Sequence, residues 1–285
     1  MTNNNDFKTA AERKIRSLYH YQSCDLSDEI RSEQFCDLLK HNRIYLSNPA
    51  NFNDPWDCKP WFNTSLLDDP TQYRLHCDWA FRVWLKHNPG PHESGFLSHV
   101  EEKLKDRKFL QSHIDLISQS LHEEAAKRYR VYCLTTHPDN LLMWAHYANN
   151  HKGICIQYEV NSPEICAALE VQYSDAFPLY CLHDESIVGN LLPFLSKSAS
   201  WAYENEYRLV AQESAASNEY STLKTKDNLL SLSNGAIGSI IIGCQANAKS
   251  IADIIKSIRP DIPVQHAVRI PNKYALSIQP YVEQA

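Results

Sequence analysis

The chain has 285 residues, of which 43% are hydrophobic and 22% charged, and its formal net charge is -6 at pH 7. A chain of this length and composition can bury a large core, which excludes an intrinsically disordered protein. The negative net charge excludes a general electrostatic attraction to nucleic acid or to anionic lipid.

Two features of the sequence indicate the compartment: the lack of a long apolar run and the pattern of the cysteines. No apolar run approaches the roughly 20 residues that a membrane helix needs, and residues 1–17 lack the apolar core of a signal peptide or anchor. The nine cysteines are odd in number and form no C-x-x-C pair, which indicates thiols in a reducing compartment. We therefore expect a cytoplasmic protein with no membrane partner.

The glycines bear on nucleotide binding. The chain has seven of them, and they form neither the G-x-G-x-x-G pattern nor the P-loop pattern. A glycine-built phosphate cradle is therefore not expected. Side chains and strand ends would have to hold any bound nucleotide.

The first elements are short. Alternating aromatic residues predict a strand over residues 15–21, with His20 between two tyrosines. A polar cap and an acidic first turn predict a helix over residues 28–41, and a second strand is predicted over residues 44–47. Residues 48–58 are rich in Asn, Asp and Pro, which predicts a structured loop.

Helical periodicity dominates the next segment. Asp69 and Pro70 form a typical helix start, and apolar residues recur at spacings of three and four up to Ala125. We predict a helical insertion at about residues 69–127 within a single domain that spans residues 1–285. The histidines of this segment lack a metal-ligand spacing with partner residues, so no metal site is predicted.

Strands and helices are interspersed in the second half, which indicates an α+β protein. Strands are predicted over residues 130–134, 154–160, 171–174, 237–244, 264–270 and 275–281, and helices over residues 141–149, 187–198 and 251–258.

The stretch W-A-Y-E-N-E-Y-R-L-V, residues 201–210, has the two-residue period of a strand whose faces meet different surroundings. Its spacing places Glu204 and Glu206 on one strand face. One interpretation is an edge strand in which Glu204 or Glu206 pairs with Arg208 in solvent. The other is a functional carboxylate.

Three polar and aromatic groups lie at predicted strands or strand-helix junctions: residues 19–21, 144–147 and 204–206. Each group can also be structural, since histidines, tyrosines and tryptophans occur in cores with bonded polar atoms. The i, i+2 spacing of Glu204 and Glu206 is too close for a water-spaced inverting glycosidase pair. The pattern alone does not show whether the three groups converge.

Four blocks are specific in combination: L-Y-H-Y-Q-S, I-Y-L-S-N-P-A-N-F-N-D-P-W-D, L-M-W-A-H-Y-A-N-N-H-K-G-I-C-I-Q-Y and W-A-Y-E-N-E-Y-R-L-V. With these blocks the chain resembles the bacterial domain of unknown function 2971 family. They cover most of the chain outside the predicted insertion.

A looser resemblance reaches the ADP-ribosyltransferase superfamily. His20 matches a first-strand residue that contacts a ribose there, Tyr147 takes the position of a stacking tyrosine, and Glu206 takes that of the last-strand glutamate. The resemblance implies an ADP-ribosyltransferase-like split mixed sheet and NAD as the substrate. A carboxylate that bonds the ribose 2-hydroxyl would stabilise the oxocarbenium charge that develops as nicotinamide leaves.

The same resemblance implies roles for further residues. Glu206 is expected to be catalytic. The expected NAD-binding residues are His20, Tyr21, Trp144, His146 and Tyr147, and the expected supporting residues are Asn53, Asp54, Glu204 and Arg208.

The implied function is an NAD-dependent ADP-ribosyltransferase or NAD-cleaving enzyme, with phage defence as one setting and a protein, a nucleic acid or water as the acceptor. Two alternatives stay open. One is a catalytically silent module that senses a nucleotide or binds a protein. The other is a sugar or nucleotide hydrolase that uses Glu204 and Glu206.

Overall fold

The structure is a computed structural model that describes residues 7–26, 28–59, 62, 64–93, 95–178, 180–184, 191–213 and 223–283, without the side chains of residues 29, 31 and 119–122. The strands are β1 (Ser17–Gln22), β2 (Arg43–Tyr45), β3 (Tyr129–Thr135), β4 (Ile154–Glu159), β5 (Leu169–Glu170), β6 (Gln172–Ser174), β7 (Ser196–Ser198), β8 (Glu206–Glu213), β9 (Lys224–Thr225), β10 (Leu229–Ser231), β11 (Ile237–Ile242), β12 (Val264–Arg269) and β13 (Leu276–Pro280). The α-helices are α1 (Glu29–His41), α2 (Pro70–His87), α3 (Phe96–Leu104), α4 (Arg107–Arg128), α5 (Leu141–His146) and α6 (Ala248–Ile258).

The main sheet is large and mixed. Its strands follow the order β13-β12-β11-β4-β1-β3-β8-β5, and β9 also pairs with β8. The pairs β11-β12 and β8-β9 are parallel, whereas the other neighbours are antiparallel. This arrangement, with helices between the strands, confirms the predicted α+β class.

The sheet opens between β1 and β3. Strand β1 pairs with β4 along its whole length, and β3 pairs with β8 along its whole length. Between β1 and β3 the described register contains the single pair Tyr19 and Thr135. The His20 side chain reaches across this opening, with Nδ1 2.7 Å from the Cys133 carbonyl oxygen. A nearly divided sheet therefore leaves space between its two halves.

Helices cover both faces of the sheet because β4 is apolar on both sides. Ile154 and Ile156 face one side, in the core that also holds the apolar residues of α1 and α6. Cys155 faces the other side and packs with Met143 and Trp144 of α5. Helix α5 is thereby fixed against the half of the sheet that contains β1 and β4.

Helices α2, α3 and α4 occupy the predicted insertion. Asp69 caps α2 by accepting hydrogen bonds from the backbone of Thr71 and Gln72. The three helices pack around an apolar cluster that includes Trp79, Leu110 and Ile114. Helix α4 runs directly into β3.

The prediction of a helix over residues 187–198 is wrong for its second half. Leu192–Phe194 is a 3-10 turn, and Ser196–Ser198 is β7, which pairs in parallel with β6. Pro193 lacks a backbone N–H, which disfavours an α-helix, and β6 offers hydrogen-bond partners that the sequence pattern could not show. Residues 187–190 lie outside the described residues.

The prediction for residues 201–210 is partly wrong. Ala199–Glu204 is a 3-10 helix, so Glu204 does not lie on the strand. Strand β8 begins at Glu206 and lies inside the sheet, where residues 206–211 are buried on both faces. The interpretation of an exposed edge strand is therefore wrong, because β3 covers one edge of β8 and β5 and β9 the other.

Candidate active site

A cavity of about 370 Å³ lies where the sheet opens between β1 and β3. Residues of β1, β3, α5 and β7 line it, together with the loop after β2 and the turn that leads into β8. Among the residues predicted to be functional, those that line it are His20, Tyr21, Asn53, His146, Tyr147, Glu204 and Glu206. Trp144, Asp54 and Arg208 are not among the described residues that line it.

A tight turn brings Glu204 and Glu206 together. The 3-10 helix ends at Glu204, and its C-cap residue Asn205 has left-handed φ and ψ of 44° and 55°, which reverse the chain before β8. Asparagine adopts this conformation more readily than most residues. The Thr135 hydroxyl donates to the Glu204 carbonyl oxygen at 2.5 Å, and the Glu206 backbone N–H donates to the Tyr173 hydroxyl at 2.9 Å. These bonds fix the turn on both sides.

Lys197 of β7 joins the two carboxylates. Its Nζ lies 2.5 Å from Glu204 Oε2 and 3.0 Å from Glu206 Oε2, and its side chain is 6% exposed. Burial lowers the pKa of Lys197, but the negative charges of Glu206, Glu204 and Asp57 outweigh burial and raise that pKa. Lys197 is therefore a fixed positive charge between the carboxylates.

Arg208 completes a buried charge cluster, which we define as Asp57, Lys197, Glu204, Glu206 and Arg208. The fully buried guanidinium donates to both oxygens of Asp57, at 2.8 and 2.7 Å, and to both oxygens of Glu206, at 2.7 and 2.9 Å. It does not touch solvent and acts on the cavity through its partners.

The two glutamates have pKa values that are shifted in opposite directions. Burial raises the pKa of Glu206, but the charges of Arg208 and Lys197 outweigh burial and lower that pKa to about 2. The pKa of Glu204 is raised, chiefly by burial. A pair with diverging pKa values is typical of groups that divide acid, base and electrostatic roles.

Tyr147 lines the cavity beside Glu204. Its hydroxyl donates to Glu204 Oε1 at 2.6 Å, and burial together with the Glu204 charge raises the pKa of Tyr147. The tyrosine is the C-cap residue of α5, so the helix sets its position. His146, its neighbour, is an exposed lining residue.

His20 and Tyr21 lie on the β1 side. The His20 ring stacks on Tyr132 with a centroid distance of 4.0 Å, which holds the imidazole at the opening of the sheet. The Tyr21 hydroxyl donates to the His137 carbonyl oxygen at 2.7 Å, and the residue is 5% exposed. Tyr21 therefore contributes mainly a wall to the cavity.

Trp144 is placed differently from the prediction. Its indole is fully buried and donates to the Pro138 carbonyl oxygen at 2.9 Å. It packs edge-on against Tyr21 at 5.0 Å. Its position supports a core role and does not support direct contact with a bound nucleotide.

The loop after β2 contributes to two surfaces. Asn53 is exposed and lines the cavity, whereas Asp54 is buried and lines a different cavity. Asp57, three residues further on, holds Arg208. Asn53 and Asp54 of this loop were predicted to be supporting residues, whereas Asp57 was not, although it is the last residue of the block I-Y-L-S-N-P-A-N-F-N-D-P-W-D.

Lys197 was also missed. It falls in the segment that was predicted to be a helix, and a lysine between two serines gives no sign of burial. No sequence signal identifies Lys197 or Asp57, because their role follows from the burial of Glu204, Glu206 and Arg208, which only the folded structure shows.

The described residues contain no group of three or more His, Cys, Asp or Glu side chains that is arranged to hold a metal ion. Within the same residues no helix combines the length and the apolar character that crossing a membrane requires.

Comparison with known families gives one match. Residues 143–209 match a family model described as "Protein of unknown function (DUF2971)". The matched segment contains Tyr147 and four of the five members of the charge cluster, and it supports the resemblance to that family. No curated protein and no solved structure matches the chain. The resemblance to ADP-ribosyltransferases stays a prediction.

Proposed function

We propose that the protein cleaves the bond between nicotinamide and ribose in NAD, as an ADP-ribosyltransferase or an NAD-cleaving enzyme. One observation carries this proposal: His20, Tyr147, Glu204 and Glu206, which come from separate segments, line a single cavity. These include all three positions that the resemblance to ADP-ribosyltransferases singles out.

The chemistry of the cavity suits this reaction. When the bond between ribose C1′ and the nicotinamide nitrogen breaks, nicotinamide leaves with the electron pair and the ribose gains oxocarbenium character. An ionised Glu206 would stabilise that positive charge as it develops. An acceptor then supplies the electron pair of the new bond and loses a proton, and the raised pKa of Glu204 suits that group to take the proton.

The shape of the surroundings also supports a dinucleotide. A second cavity, of about 440 Å³, shares His20, Ser47, Asn51 and Tyr132 with the candidate active site. The two cavities therefore adjoin at His20. A ligand with two halves, such as NAD, could extend from one into the other, with the nicotinamide end near Glu206.

The test is nicotinamide release from NAD by the purified protein in the presence of cell extract. We expect release by the wild type and a loss of about 100-fold or more in Glu206→Gln, the order of magnitude seen when one preorganised electrostatic group is removed. The matched control is Glu170→Gln, since Glu170 is an ion-paired carboxylate on the same sheet that lies outside the cavity.

Folding must be separated from chemistry, because Glu206→Gln removes one charge partner of Arg208. Circular dichroism and NAD calorimetry on the variant check that the fold and the binding are retained. The same background release in wild type and Glu206→Gln would refute the enzyme. An equal loss in Glu170→Gln would refute the assignment of Glu206.

A nucleotide-sensing module is the second candidate. It is favoured by the pairing of Glu206, whose two oxygens are both engaged by Arg208 while Oε2 also contacts Lys197. A carboxylate held in this way can be purely structural. NAD binding in calorimetry without nicotinamide release would support this candidate, and the absence of binding would remove it.

A sugar or nucleotide hydrolase is the third candidate. It is favoured by the opposite pKa shifts of Glu204 and Glu206, which are joined through Lys197. Hydrolysis of nucleosides or aryl glycosides by the wild type, with loss in both Glu204→Gln and Glu206→Gln, would support it. Inactivity on these substrates would remove it.

A further inference from the structure

The helical insertion contains two histidines, His76 of α2 and His113 of α4, whose ring nitrogen Nε2 is buried. Among the described residues, no hydrogen-bond partner reaches either atom. Buried polar atoms nearly always have a partner, so each exception requires an explanation. Neither histidine lines the candidate active site, and the proposed chemistry does not use them.

His76 is the clearer case. Its side chain is fully buried, and its Nδ1 lies 2.7 Å from the Gln72 carbonyl oxygen, one turn earlier on α2. A carbonyl oxygen can only accept, so Nδ1 carries the ring proton and donates it. In the neutral ring, Nε2 is then an acceptor without a proton. A second proton on Nε2 would create a buried positive charge and an unpaired donor, which is far more costly than an unpaired neutral acceptor.

The surroundings of His76 provide no negative charge. The rings of Phe62 and His183 meet it edge-on, with centroid distances of 5.0 and 4.7 Å. His183 Nε2 lies 2.9 Å and Cys181 Sγ 3.8 Å from the Gln72 side-chain oxygen, and burial raises the pKa of the Cys181 thiol. Burial lowers the pKa of His76, and the charge of His183 lowers it further, against the hydrogen bond to Gln72.

His113 is half-buried and lies on another helix of the same insertion. Its ring is parallel to that of Phe109 at a centroid distance of 6.3 Å, and Lys103 of α3 lies 5.9 Å from the Phe109 centroid. Asp115, two residues further along α4, is exposed and accepts a hydrogen bond from Gln111. Burial lowers the pKa of His113. Its environment therefore also favours the neutral ring.

We propose that the insertion is an acid-sensitive module, in which protonation of His76 and His113 opens the packing of α2, α3 and α4. The three helices share one apolar cluster, and a charge on either ring can be solvated only if the helices separate. This property does not depend on the proposed NAD chemistry, because it can be measured without NAD and without turnover.

Proton linkage gives the direction of the effect. The ordinary pKa of histidine is about 6.5, and the folded insertion holds the pKa of His76 and of His113 below that value. The stabilisation from neutral rings is therefore complete above about pH 6.5, and it is lost as the pH falls from there through the folded pKa values. Between about pH 7.5 and about pH 5.5, each histidine should increase the opening equilibrium of the insertion by about three- to tenfold.

The experiment is hydrogen exchange of the full chain at about pH 7.5 and about pH 5.5, expressed as protection factors so that the chemical pH dependence of exchange is removed. For the wild type we expect the protection of α2 and α4 to fall by about tenfold to a hundredfold in acid. His76→Leu and His113→Leu should each reduce this fall by about three- to tenfold, and the double variant should nearly abolish it. The matched control, His99→Leu, replaces an exposed histidine on α3 and should keep the wild-type fall.

A second measurement does not depend on how well a variant folds. In NMR spectra of the wild type, the Cε1–H signals of His76 and His113 should stay at the position of a neutral imidazole down to about pH 5.5. Each signal is assigned by its absence from the corresponding variant.

Three results would overturn the proposal: equal protection of the wild-type insertion at the two pH values, the same fall in His76→Leu as in the wild type, or an imidazole of His76 that is protonated in the folded protein at the ordinary pKa of histidine. Each of them would leave nicotinamide release and its loss in Glu206→Gln unaffected, so the two proposals fail separately.

Discussion

Arg208 controls the ionisation of Glu206 in the candidate active site, although it is not among the described residues that line the cavity. Its guanidinium is fully buried and forms two-point contacts with both Asp57 and Glu206. A buried ion pair adds little net stability when compared with an apolar core. Removing one partner is costly, however, because it leaves the remaining charges buried and unpaired. The depressed pKa of Glu206 is the counterpart of this pairing.

Replacing Arg208 by methionine should therefore cost roughly 3–5 kcal/mol of unfolding free energy at pH 7, because Asp57 and Glu206 lose their partner. Urea unfolding measures this cost. The matched control is Arg13→Met, which removes a pair with Glu170 whose side chains are 53% and 35% exposed. There we expect about 1 kcal/mol or less.

The cost should also depend on pH. Arginine lowers the pKa of Glu206 below its value in the unfolded chain, so the pairing stabilises the fold above the unfolded pKa, and this contribution is lost as the pH falls through about 2. The difference between wild type and Arg208→Met should shrink in acid. A cost of Arg208→Met no larger than that of Arg13→Met would contradict this account of the cluster.

The turn between the 3-10 helix and β8 is the element that brings two carboxylates to one ammonium. Asn205 is exposed, so its contribution is the left-handed backbone conformation and not side-chain packing. This reversal allows Glu204 to lie beside Tyr147 although Glu206, two residues later, is already the first residue of β8. The geometry of the site thus depends on the backbone conformation of a residue whose side chain is exposed.

Asn205→Ala should destabilise the fold by roughly 1–2 kcal/mol, since a β-carbon without a compensating polar group is unfavourable in the left-handed region. Asn205→Gly should be nearly neutral, because glycine adopts this conformation freely. Urea unfolding of the two variants gives the comparison. Equal costs for alanine and glycine would show that the side chain of Asn205, and not its backbone, matters.

The molecule as a whole combines a nearly divided sheet with a helical insertion that has an apolar cluster of its own. The opening between β1 and β3 makes room for the cavity, and the two halves of the sheet are each well paired. Helices α2, α3 and α4 pack around Trp79, Leu110 and Ile114. Separate clusters allow separate local unfolding.

Ile114→Ala should destabilise the insertion by roughly 2–5 kcal/mol through the cavity that it leaves. We expect hydrogen exchange to accelerate in α2, α3 and α4, while β1, β3, β4 and β8 keep the rates of the wild type. Leu116→Ala, at an exposed position of α4, is the control. Equal acceleration in the sheet would show that the insertion and the sheet unfold as one unit.

The local sequence was sufficient for much of the fold. Amphipathic periodicity predicted the insertion helices, and β-branched and aromatic runs predicted β1, β3, β4 and β11, because these signals depend on neighbours along the chain. The helix predicted over residues 187–198 failed for the opposite reason. Residues 196–198 instead form β7, which pairs with β6, and a local sequence pattern cannot identify a pairing strand that is distant in sequence.

Residue types and their order determined which side chains could be functional, because the reactive groups of a histidine, a tyrosine and two glutamates are fixed by residue type and do not depend on the fold. The tertiary structure alone decided that they share a cavity, that Trp144 belongs to the core, and that Glu206 is buried and charged. The ionisation of Glu206 depends on Arg208 and Lys197, and the position of Arg208 on Asp57, about 150 residues earlier in the chain. Charge at a buried site is a property of contacts in space, which a sequence pattern does not contain.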